Sequence, residues 1–149
     1  MHDPFAMRPF FGYNFGLYLA HWLSFGERQG LHLPKIYHVN WFLKDSETNE
    51  FLWPGFGENI RVIDWIFRRL TNEASARRTP IGLVPDQNTT NDGGIRGGEV
   101  NRKLLEINTD FWLKECESIR KYFQDNVNES LPEQIWSELN SLEKRLSSI

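Results

Sequence analysis

Phe51-Leu52-Trp53-Pro54-Gly55-Phe56-Gly57-Glu58-Asn59 runs straight into Ile60-Arg61-Val62-Ile63-Asp64-Trp65-Ile66-Phe67-Arg68-Arg69-Leu70, and the join between the two stretches sets the reading of the whole chain. The second stretch repeats Ile63, Ile66, Phe67 and Leu70 at helical spacing with Arg61, Asp64 and Arg68 facing away, which predicts an amphipathic helix. Asn59 stands where the N-cap is expected, because its side-chain oxygen can accept from an amide of the first turn. The first stretch is a glycine-rich turn crowded with rings, and Trp41 and Phe42 add two more from the segment before it.

Such a cluster suits a flat base. Aromatic faces stack, closely spaced glycines let backbone N–H groups approach a ligand, and an Asn amide offers both a donor and an acceptor. Guanine needs both polarities, since its edge sets an acceptor oxygen beside ring and exocyclic N–H donors. On pattern alone, however, Phe42, Phe51 and Phe56 read more readily as core, the usual place for aromatic side chains. Glu58 reads as a first-turn charge that complements the helix dipole, contributing only backbone contact to any ligand.

Working outward, residues 35–43 alternate enough to predict a strand, followed by a polar turn over 44–50. Upstream, Pro9 suits the first turn of a helix in which Phe11, Phe15, Tyr18, Leu19 and Trp22 share a face. Gly12 and Gly16 would admit a second backbone against that helix. Downstream, residues 79–85 predict a short strand or extended arm, confined by Pro80 and Pro85 to an edge or turn. Residues 86–98 form a polar, glycine-rich link. Two amphipathic helices follow, one on Trp112, Cys116, Ile119 and Phe123, the other on Ile135, Leu139, Leu142, Leu146 and Ile149. The second is predicted to start on a capping box, with Ser130 as cap and Glu133 closing it. The expected fold class is α+β: mainly helical, with a short strand or hairpin region near 35–56 and a further strand or arm at 80–85.

The 149 residues suit one domain, small for an enzyme that must hold two substrates and metals. With 17 Lys and Arg against 20 Asp and Glu, the formal charge of −3 leaves no electrostatic footprint for nucleic acid or an anionic membrane. The aromatic run over 10–25 is broken by Gly12, Asn14, Gly16 and His21, so a membrane span is not expected. The single cysteine, Cys116, reads as a reduced, buried thiol of an intracellular protein. His21, His32 and His38 lack metal-ligand spacing, and there is no Gly-x-x-x-x-Gly-Lys-Ser/Thr loop and no clustered Asp/His/Lys set. Arg8 and Lys35 suit either a phosphate or an acidic partner. The abrupt start at Met1-His2-Asp3-Pro4 carries no amphipathic leader and reads as a cut.

Residues 2–16, 33–42 and 51–59 together resemble the C-terminal part of the GTP-dependent phosphoenolpyruvate carboxykinases, densely to about residue 85. A looser likeness continues through Leu104-Leu105, Trp112, Tyr122-Phe123, Leu131-Pro132 and residues 142–146. The resemblance implies a fragment of a larger mixed α/β fold: a guanine-site part over 1–85, the link 86–98, and C-terminal helices over 99–149. It implies that Phe42, Phe51 and Phe56 enclose the guanine ring, with Trp41, Gly57, Glu58 and Asn59 beside it, and that His2 and Asp3 are the hinge end of an active-site lid. No catalytic residue or metal ligand is expected here. The phosphate loop, the ligands for Mn²⁺ or Mg²⁺ and the oxaloacetate-binding arginines are implied to lie upstream. The implied reaction converts oxaloacetate and GTP to phosphoenolpyruvate, CO₂ and GDP, in gluconeogenesis. The fragment alone is expected to be inactive and its full-length form monomeric and cytoplasmic, with a mitochondrial home as the alternative. The competing readings are a stand-alone purine-binding module and a helical interaction domain.

Overall fold

Asn14 opens the first helix of the computed structural model, which describes residues 8–53, 55–86 and 102–149. Its side chain accepts from the Gly16 amide at 2.7 Å and donates to the Val127 carbonyl at 3.3 Å, so one residue both starts the helix and ties it to a distant segment. Helix α1 therefore spans Phe15–Ser24 rather than starting at Pro9, which lies in a separate 3₁₀ turn, Arg8–Phe10. The described chain forms two units, one from residues 8–35 with Asn108–Ile149, the other within Ile36–Ile107.

In the first unit α1 packs with α3 (Thr109–Asn126) and α4 (Glu133–Leu146). Phe15, Leu19, Val127 and Leu131 form the core, and Phe11, Tyr18, Phe123, Ile135 and Trp136 pack on it. Burial of such side chains stabilises a fold by roughly 1.5–3 kcal/mol each. Trp22 faces solvent instead of sharing this face. Gly16 is the point of closest approach, since a Cβ there would meet the Ser130 carbonyl oxygen at 2.2 Å. Gly12 has no such role: it precedes the helix, and a Cβ there meets nothing within 4 Å.

Cys116 is fully buried in α3, and desolvation raises its thiol pKa, with Glu143 adding to the shift. Between α3 and α4, Arg120 donates to Glu143 at 2.7 Å and to Asn140 at 2.9 Å. Asn128 ends the α3 segment with φ 60°, a conformation that Asn adopts more readily than most residues. The capping box at Ser130 does not form. Ser130 ends a 3₁₀ turn with its carbonyl against Gly16, and α4 starts from Pro132 with no side-chain cap. Ile149 lies past the end of α4 and is exposed, so the apolar stripe stops at Leu146.

The second unit holds α2 (Asn59–Leu70) and the hairpin of β1 (Ala76–Thr79) and β2 (Gly82–Pro85). The antiparallel register runs from Ala76 opposite Pro85 to Thr79 opposite Gly82, which leaves Pro80 in the turn and β2 on an edge. Asn72 at φ 62° closes α2, and the Glu73 amide reaches back to the Arg68 carbonyl at 2.7 Å. Trp65 is the buried residue of α2, whereas Ile63, Phe67 and Leu70 of the expected inward face are exposed. The strand predicted over 35–43 does not form. Pairing in this region shrinks to a single antiparallel bridge between Lys44 and Phe51. The broad outline of a mainly helical α+β chain with a small hairpin nonetheless holds.

Candidate functional site

The bridge from Lys44 to Phe51 is the tip of a short loop, and the loop is built around one carboxylate. Asp45 Oδ1 accepts from the Glu47 and Thr48 amides at 2.8 and 3.2 Å, an arrangement that folds the chain back on itself. The Asp45 amide donates to the Glu50 carbonyl and the Leu52 amide to the Leu43 carbonyl, both at 2.9 Å. Asn49 supplies the left-handed residue, φ 59°, that the reversal needs. Lys103 Nζ meets Asp45 Oδ2 at 2.6 Å. These contacts hold the Asp45 carboxyl at about 2, the Lys103 hydrogen bond contributing most and the two amides next.

This loop brings Phe42 and Phe51 together. Their centroids are 6.3 Å apart with planes at 64°, an edge contact. A base sandwiched between parallel rings needs about 7 Å, two van der Waals spacings. The pair as it stands therefore offers an outer face, and intercalation requires one ring to turn. Both rings are accessible, Phe42 at 74% and Phe51 at 51%. Lys44 Nζ lies 5.0 Å from the centre of the Phe51 ring. The Phe42 amide is fixed by the Asn40 side chain at 3.0 Å.

Phe56 stands at the start of a 3₁₀ turn, Phe56–Glu58, that runs into α2. It is 91% exposed, far from the core position that composition alone favours. Gly55 makes this possible with φ 122°, which an L side chain rarely adopts. A Cβ on Gly57 would meet nothing within 4 Å, so no packing within the described chain demands a glycine there.

Asn59 is the first residue of α2 rather than its cap, and its side chain does different work. Trp53 Nε1 donates to Asn59 Oδ1 at 2.8 Å, which orients the amide. Both Nδ2 hydrogens and the second lone pair of Oδ1 remain for another partner. Trp53 in turn packs on Trp41 with centroids 5.8 Å apart. The Glu58 and Asn59 amides are committed to the Gly55 and Phe56 carbonyls. The Glu58 carboxylate pairs with Arg61, in keeping with a first-turn charge.

Sequence reasoning missed Asp45, which builds the loop, Lys103, which holds it from outside, and the Trp53 contact that aims Asn59. The Asp-x-Glu-Thr run was a usable signal for the turn at Asp45; nothing in the sequence linked it to a lysine 58 positions on. His2 and Asp3 lie outside the described residues, as does the part of the link over 87–98. Among the described residues, no three His, Cys, Asp or Glu side chains are grouped so as to hold a metal ion, and no helix is long and apolar enough to cross a membrane.

An exposed aromatic turn with an oriented amide at a helix entrance suits recognition of a flat base. Residues 1–145 match the family model described as phosphoenolpyruvate carboxykinase C-terminal P-loop domain, and the chain belongs to that family. It is 56% identical over 146 residues to the mitochondrial phosphoenolpyruvate carboxykinase (GTP) of Homo sapiens, covering 98% of this chain and 22% of that protein. It is 52% identical over 150 residues to the cytosolic form of Gallus gallus, covering 100% of this chain and 24% of the relative. The corresponding protein of Chlamydia felis is 48% identical over 147 residues, covering 97% of this chain and 24% of its own length. The chain thus spans about a quarter of the length of the relatives it matches.

Proposed function

We propose that this chain supplies the guanine-binding surface of a GTP-dependent phosphoenolpyruvate carboxykinase, with Phe42, Phe51 and Phe56 as stacking faces and Asn59 as the edge reader. The whole protein would decarboxylate oxaloacetate and pass the γ-phosphoryl group of GTP to the enolate, giving phosphoenolpyruvate, CO₂ and GDP. The observation that carries this reading is the placement of Phe56 in solvent, on a turn whose neighbouring amide is already aimed by Trp53. A ring so exposed costs the fold its burial energy, and stacking on a base returns about 1–3 kcal/mol.

Trp41 stiffens the site by packing on Trp53, and Gly57 leaves open space for a base to approach the backbone. The Asn59 amide can donate to guanine O6 through Nδ2 or accept a ring N–H on its remaining lone pair. Adenine presents the opposite polarity along that edge and gains less. Mn²⁺ or Mg²⁺ belongs to the implied reaction, but the described residues do not offer a donor set for either, so no step through a metal is assigned to them. The division 1–85, 86–98 and 99–149, an upstream catalytic part and a monomeric whole protein, with either compartment named for the relatives as its home, belong to the same proposal.

Titration of the chain with GDP and ADP, followed by tryptophan fluorescence from Trp41 and Trp53, tests it. The expected result is a guanine preference of about tenfold or more, the scale set by one or two edge hydrogen bonds. Equal responses to the two nucleotides would end the reading.

A further inference from the structure

The loop carrying Phe42 and Phe51 is held from outside itself. Asp45 is nearly enclosed, its side chain 9% exposed, and its two oxygens do different jobs. Oδ1 takes the Glu47 and Thr48 amides and so shapes the turn. Oδ2 takes Lys103, which lies 58 residues downstream within the same unit. The segment that bears Lys103 is anchored again two residues later, where Arg77 of β1 donates to the Leu105 carbonyl at 3.2 Å. Residues 102–105 thus act as a strut with one end on the β1–β2 hairpin and the other on the loop between Phe42 and Phe51.

The turn alone does not need Lys103, because Oδ1 and the ladder bonds at Asp45 and Leu52 already close it. What the lysine adds is a fixed position for the loop relative to the rest of its unit. The pair is short, charge-assisted and partly shielded, which sets it apart from exposed ion pairs that contribute little.

We propose that Lys103, acting through Asp45, is a positioning residue for the aromatic loop and thereby tightens the binding of a guanine base. The proposal rests on the guanine-site reading above. Lys103 does not touch the base; it sets where the Phe42 and Phe51 rings stand before the base arrives, and preorganisation of this kind raises affinity by lowering the cost of ordering on binding.

The test measures GDP and ADP affinity for the 149-residue chain as Lys103→Met, Lys103→Arg, Asp45→Asn and the Asp45→Asn, Lys103→Met double variant. Lys103→Met and Asp45→Asn should each weaken GDP binding by roughly three- to tenfold, within the range of one charge-assisted hydrogen bond. The losses of the two single variants should be clearly less than additive in the double variant, since both include the Asp45–Lys103 contact. Lys103→Arg should restore most of the affinity, a rescue that loss of packing alone would not give. Asp45→Asn keeps the Oδ1 acceptor for the turn, so its effect reports the strut rather than a collapsed loop. If the unaltered chain prefers GDP and Lys103→Met binds it equally well, the positioning role is refuted and the guanine site survives. If the unaltered chain shows no preference for GDP over ADP, both fall together.

Discussion

At the scale of single residues, Phe56 is the most exposed large apolar side chain among the described residues, so under the proposed guanine-site reading it separates binding from folding. It is almost wholly in solvent, so Phe56→Ala should leave the melting temperature within about 1–2 °C while lowering GDP affinity by about fivefold or more. Calorimetric titration beside a thermal melt checks both halves. Asp45 gives a prediction in pH. Its folded value of about 2 lies below the ordinary 3.8, so its pairing stabilises the fold above the ordinary value, and that contribution fades as pH falls toward about 2. The melting-temperature gap between the unaltered chain and Asp45→Asn should therefore be constant near neutral pH and close in acid. A gap that widened in acid would contradict the assignment. Pattern alone favoured a core place for Phe42, Phe51 and Phe56, and the structure exposes all three instead; the Asp45–Lys103 contact was not legible either, since nothing in local spacing records which distant residue a turn will meet. The cap assigned to Asn59 failed because the helical run already begins with the turn at Phe56, which leaves Asn59 in right-handed helical backbone inside it.

Elements were read well where the pattern was long and poorly where it was short. The helices on Trp112 to Phe123 and on Ile135 to Leu146 repeat their apolar residues over several turns, and both form. The strand over 35–43 rested on alternation with no partner of matching length, and only the Lys44–Phe51 bridge survives. Gly12 and Gly16 looked equivalent one turn apart, yet the helix starts between them at Asn14. That difference yields a paired prediction. Gly16→Ala pushes a methyl into the Ser130 backbone, which has little freedom to yield, and should cost about 1–3 kcal/mol in chemical denaturation. Gly12→Ala meets open space and should change stability by less than about 0.5 kcal/mol.

For the molecule as a whole, the outward set of α2 is the feature that its sequence misassigned. Ile63, Phe67 and Leu70 follow helical periodicity and were expected to turn inward, but only Trp65 is buried on that helix. Periodicity reports that a face is apolar; it does not say which part of a protein covers it. The chain covers about a quarter of its relatives' length, so such a face is the kind that further sequence covers in a longer protein. In the 149-residue chain it should promote self-association at high concentration, and Phe67→Glu should reduce the weight-average mass seen by sedimentation equilibrium without weakening GDP binding. An unchanged mass would place the association elsewhere.

The Asn14 amide reaches the Val127 carbonyl, and Gly16 presses on Ser130, so α1 finds its seat only on residues made more than a hundred positions later. Synthesis runs from the amino end, so a chain made only as far as α2 still lacks Val127 and Ser130, the contacts of α1 named above. Helix α1, a segment of ten residues, is too short to persist alone in water. Its ordering must therefore wait until Val127 and Leu131 have been made, and until then Phe15 and Leu19 lack the partners that bury them.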